Sequence, residues 1–126
     1  MVDSTEKQII ETDLGKLISL NQINCQVEAG SKKRCIEIVS ELLSKQTEQL
    51  TGAEVFECLL SRERLGSTGV GHGVAIPHGR CKHINEAIGA LIQLQQGVDY
   101  DAIDKQPVDL IFALIVPEES TEEHLK

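Results

Sequence analysis

The sequence predicts an α/β (α+β) sandwich, with a mixed central sheet flanked by helices. Segments with apolar residues at helical spacing alternate along the chain with strand-like runs. One run, "VDLIFALIV" (108–116), is apolar almost without interruption, as befits a strand covered on both faces. The core must also be aliphatic, because Trp is absent and the aromatic residues are only Phe56, Phe112 and Tyr100.

At 126 residues the chain is read as one domain, 1–126, long enough to bury a core without disulfides or metals. Its elements follow in order. From Leu14, "LGKLISL" predicts a helical turn, and "NQINCQVEA" a short strand ending near Gly30. "SKKRCIEIVSELLSKQ" puts Cys35, Ile36, Val39, Leu42 and Leu43 at helical spacing behind Ser31 as N-cap. Its first turn carries Lys32, Lys33 and Arg34, the unfavourable sign for the helix dipole. They read as a solvated basic face, with a docking patch for an acidic or phosphate-bearing partner as the alternative.

"TGAEVFECLLSRERLG" is a clearer helix. Thr51 and Glu54 form a capping box, and Val55, Phe56, Leu59 and Leu60 make the apolar face. Arg62 and Arg64 suit the last turn, and Gly66 closes the end. Further on, "AIGALIQLQ" (87–95) predicts a strand and "GVDYDAIDKQP" a turn-rich connection into the 108–116 strand. "PEESTEEHLK" then starts a helix, with Ser120 as cap, Glu123 at the box position and His124 in the first turns. A sheet protein seldom ends on a helix barely begun, so the C-terminal part of the fold is expected beyond Lys126.

Composition bounds the function. The formal charge of −8 argues against a nucleic-acid partner, whose phosphates need basic surface, and favours a basic protein partner or plain solubility. Cys25, Cys35, Cys58 and Cys81 form no CxxC pair, and the N-terminus lacks the apolar stretch of a secretory signal. No run approaches the roughly 20 apolar residues that span a bilayer. These features predict reduced, mostly buried thiols in a cytoplasmic protein without membrane insertion.

The chemistry is concentrated in "GSTGVGHGVAIPHGR" (66–80), with five glycines, two histidines and a proline. His78 lies between Pro77 and Gly79. Neutral imidazole is a nucleophile near pH 7, and a bond from one ring nitrogen to a backbone carbonyl would leave the other free to attack. Pro77 stiffens the approach to His78, and Gly79 removes a Cβ that would crowd an incoming group. Gly69, Gly71 and Gly73 expose amides, Ser67 and Thr68 add hydroxyls, and Arg80 or the helix-end arginines add charge. Nucleophile, donors and cation are what phosphoryl transfer to histidine requires.

Other chemistries fit less well. A P-loop would end in G-K-[ST], and the run is G-x-G-x-G rather than G-x-G-x-x-G. His72, His78, Cys81 and His83 match no standard zinc spacing, and Cys81 has no partner spacing typical of a thiol nucleophile. No metal or cofactor is called for. A tight turn holding a satisfied loop histidine remains the plain alternative.

"SRERLGSTGVGHGVAIPHGR" resembles the active-site signature of enzyme IIA domains of the fructose/mannitol class in the phosphoenolpyruvate-dependent phosphotransferase system. "YDAIDKQPVDLIFALIVP" and "SKKRCIEIVSELLSKQ" resemble its nitrogen-regulatory (PtsN-like) branch, and the likeness runs from about Leu14 to Lys126. The resemblance implies a phosphotransferase component in which His78 takes a phosphoryl group from an HPr-like phosphohistidine carrier. It further implies that His124 matches a second active-site histidine and Arg62 the arginine before the glycine run, both holding phosphoryl oxygens. Nitrogen-metabolism regulation through a target protein is expected. The alternatives are a sugar-transport IIA that passes phosphate to a IIB domain, or a non-catalytic module binding an anion or target.

Overall fold

The computed structural model describes residues 23–118. It contains β1 (Ile23–Val27), α1 (Lys32–Ser44), α2 (Gly52–Glu63), β2 (Gly69–Gly71), β3 (Val74–Ala75), β4 (His78–Cys81), β5 (Ile88–Val98) and β6 (Val108–Pro117). The six strands form one mixed sheet in the order β1-β5-β6-β3-β2, and β4 pairs with β6 beyond β3. The expected α/β architecture with a mixed sheet is what the chain adopts. The helical turn expected from Leu14 and the helix expected to carry Ser120 and His124 lie outside the described residues.

Both helices start where their capping residues dictate. The Ser31 hydroxyl accepts from the Arg34 amide. Thr51 and Glu54 exchange side chain-to-backbone bonds, so two otherwise orphaned amides of α2 are satisfied. Cys35, Ile36, Val39 and Leu43 of α1 and Val55 and Leu59 of α2 are buried against the sheet. There they meet Ala90, Ile92, Ile111, Ala113 and Ile115 in an aliphatic core.

β6 is the strand that places everything else. It pairs antiparallel with β5, setting Ala90 opposite Ala113 and Ile92 opposite Ile111. On its other side it pairs parallel with β3 through Val74 and Ala75, then with β4 through His78 to Cys81. An interior strand with neighbours on both sides and packed faces should be largely apolar, and the 108–116 run is so apart from the exposed Asp109.

The glycine-rich run is not one loop. It is a two-residue hairpin followed by an edge strand. His72 (φ 58°) and Gly73 (φ 78°) occupy the turn between β2 and β3, where both central residues need positive φ. The His72 amide donates to Asp104 Oδ2 at 2.9 Å, which holds the turn against the β5–β6 connection. Gly69 lies so close to Ala102 that a Cβ would come within 2.9 Å of it. Two of the run's glycines, Gly73 and Gly69, thus serve chain reversal and close packing.

Candidate functional site

The local sequence Ile76-Pro77-His78 sets the histidine. Pro77 is fully buried, and its carbonyl accepts from the Leu114 amide at 3.0 Å, so the chain joins the edge of β6 just before His78. Proline also biases Ile76 toward extended backbone. The Ile76 carbonyl then lies 2.9 Å from His78 Nδ1. A carbonyl only accepts, so Nδ1 carries the proton and Nε2 keeps its lone pair. Among the described residues Nε2 has no hydrogen-bond partner, and the ring is exposed.

His78 opens onto a groove of about 860 Å³ running along β4. Its walls are Glu57, Cys58, Ser61, Arg62 and Leu65 on the α2 side, and His78, Gly79, Arg80, Leu114 and Val116 on the strand side. Register explains the strand wall. His78 is paired with Leu114 and Arg80 with Val116, so these four share a face of the sheet. Gly79 and Cys81 point to the other face and are buried.

Arg62 in the last turn of α2 brings a guanidinium to this groove, and Nη1 donates to the Gly66 carbonyl at 2.8 Å. Arg62, His78, Gly79 and Arg80 are thereby brought together. Ser67 and Thr68 are not. The Ser67 hydroxyl donates to the Tyr100 carbonyl at 2.8 Å, and the Thr68 hydroxyl donates to the buried Glu63 carboxylate. Gly69, Gly71 and Gly73 do not line the groove either. His124 lies outside the described residues.

Gly79 does not spare room for an incoming group, as the sequence suggests. Its missing side chain makes room for α2, not for a reactant: a Cβ there would lie 2.9 Å from the Cys58 carbonyl oxygen. The basic start of α1 also departs from the solvated face expected of it. Lys32 is not simply solvated; its Nζ is 2.9 Å from Glu63 Oε2 and 4.9 Å from the centre of the Tyr100 ring. Glu63, Lys32 and Tyr100 gave no motif in the sequence. The one hint was Glu63 at the core-facing side of α2, where an acid needs a partner.

Burial pushes the Cys35 thiol up to about 11, and it raises Cys81 and Tyr100 further. Cys35 and Cys81 are packed in the core, and Cys25 is exposed. Among the described residues no group of three His, Cys, Asp or Glu side chains gathers as a metal site. No helix there is long and apolar enough to cross a membrane.

Residues 16–126 match the family model described as "Phosphoenolpyruvate-dependent sugar phosphotransferase system, EIIA 2". The chain belongs to this family. It is 44% identical over 126 residues to a nitrogen regulatory protein of Klebsiella oxytoca, covering 99% of this chain and 75% of that one. Its fold is similar to that of the nitrogen regulatory protein IIA-Ntr from Neisseria meningitidis. There the TM-score is 0.82 at 49% identity, covering 90% of this chain and 77% of that chain. The Escherichia coli IIA mannitol structure shares the fold at TM-score 0.70 and 21% identity, covering 86% of this chain and 77% of that one. These likenesses place the IIA domain with the nitrogen-regulatory proteins. The chain spans about two thirds to three quarters of the length of the curated relatives that it matches.

Proposed function

We propose that this IIA domain is a cytoplasmic phosphoryl carrier that accepts a phosphoryl group on His78 Nε2 and acts as a nitrogen-metabolism regulator. The supporting observation is the Nδ1–Ile76 carbonyl bond, which leaves Nε2 as the nucleophilic nitrogen in a groove shared with Arg62 and Arg80. The donor is the phosphohistidine of an HPr-like carrier. The lone pair of Nε2 forms the new N–P bond as the donor N–P bond breaks, and that pair returns to the donor imidazole. The Nδ1 proton stays on His78, stabilised by the Ile76 carbonyl as positive charge develops on the ring.

Arg62 and Arg80 meet the equatorial oxygens, where the charge of a loose transition state resides. Donor and acceptor are both imidazoles, so the transfer is nearly isoenergetic and reversible. Reversibility suits a regulator whose phosphorylation level reports the state of its donor. The added group carries nearly two negative charges and changes which target protein this face holds.

The test is intact-mass measurement after incubation with phosphoenolpyruvate, enzyme I and an HPr-like carrier. Wild type is expected to gain one acid-labile, alkali-stable phosphoryl group, and His78→Ala none. Equal labelling of the variant would overturn the assignment.

A further inference from the structure

We infer that Glu63 is a positioning residue for Arg62, a role that rests on the reading of the His78 groove as a phosphoryl site. Arg62 and Glu63 are consecutive at the end of α2, so their side chains leave the helix about 100° apart. Arg62 lines the groove, while Glu63 is buried with its carboxylate among polar partners.

Those partners define a closed loop. Glu63 Oε2 accepts from the Thr68 amide at 2.9 Å, and Oε1 accepts from the Thr68 hydroxyl. The carboxylate thereby ties the end of the helix to the residue five positions on. Lys32 at 2.9 Å balances its charge, and the Tyr100 hydroxyl lies 3.4 Å away. Inside the loop sits Gly66, whose carbonyl receives Arg62 Nη1. No apolar anchor holds this stretch, since Leu65 is 84% exposed. The near side of the turn is held by main-chain bonds from the Leu65 and Gly66 amides to the Arg62 and Glu63 carbonyls, both at 3.1 Å, and the Glu63 carboxylate adds the tie at Thr68 that sets the direction of the Gly66 carbonyl.

A buried carboxylate is an unfavourable way merely to close a turn, because its desolvation opposes folding. It is well suited to holding a neighbouring guanidinium in one rotamer before an anion arrives.

Two measurements test this. The first is the side-chain ¹⁵N spectrum of Arg62 in the unphosphorylated protein. Wild type should show a distinct Nε–H signal and slowed rotation of the guanidinium, and Glu63→Gln and Thr68→Val should average both. Thr68→Ser, which keeps the hydroxyl, should restore them. The second is a double-mutant cycle on the rate of phosphoryl uptake by His78. Glu63→Gln should slow uptake about tenfold in the wild-type background and less than about twofold with Arg62→Ala, as expected of residues acting through one another.

An unchanged Arg62 spectrum in Glu63→Gln and Thr68→Val would overturn the proposal. So would equal slowing by Glu63→Gln in both backgrounds, since that marks a general structural defect. If wild type takes up no label, the phosphoacceptor reading fails, and the Arg62 spectrum still decides the positioning role.

Discussion

His78 draws its chemistry from two residues before it and one after. Ile76 supplies the carbonyl that fixes the tautomer, Pro77 holds that carbonyl in place, and Gly79 lets the strand lie flat on α2. The proline and the histidine were legible in the sequence, because their roles depend on nearest neighbours. The role of Gly79 was not. What occupies the space beside it is a helix turn 21 positions earlier, and no local pattern reports that contact. Gly79→Ala should therefore destabilise the fold. Its Cβ would meet backbone of α2, which cannot rotate away, at a cost of about 1–3 kcal/mol. Chemical unfolding measures this; a variant as stable as wild type would mean that β4 and α2 sit further apart than described.

At the scale of elements, the two helices and the long strands were legible, because capping residues and apolar periodicity are local signals. Ser31, Thr51 and Glu54 do what their types suggest. The glycine-rich run misled in one respect. Its density of glycine looked like a cradle for an anion, yet the His72-Gly73 hairpin and the tight contact of Gly69 with Ala102 account for most of it. Histidine tolerates positive φ better than most residues, so the turn was hidden behind a residue with more obvious chemistry. The hairpin matters to the site only through register, since β3 docks on β6 immediately ahead of β4. Gly73→Ala should accordingly lower stability by about 1–2 kcal/mol, because alanine is strained at φ 78°. It should leave the phosphorylation rate unchanged well below the melting temperature. A large rate loss with stability intact would place the turn in the site.

At the scale of the whole molecule, the sheet gathers residues that the sequence scatters. Arg62 on α2, His78 and Arg80 on β4, and Leu114 and Val116 on β6 line one groove because β4 pairs with the end of β6. The helix end already set Arg62 and Arg64 beside the glycine-rich run in the sequence, and the family resemblance singled out Arg62. The Lys32–Glu63–Tyr100 cluster joins α1, α2 and the β5–β6 connection, and long-range polar contacts of this kind leave no periodic trace. The chain has a formal net charge of −8, and the His78 groove is lined by two arginines and Glu57.

The central claim is that His78 is held by Nδ1 and reacts through Nε2. Long-range ¹H–¹⁵N correlation of the His78 ring, before and after phosphorylation by an HPr-like carrier, tests it most directly. Protonated Nδ1 in the free protein and phosphorus coupled to Nε2 in the product is the predicted result. Phosphorus on Nδ1, or a His78 ring unchanged while the protein carries the label, would contradict it.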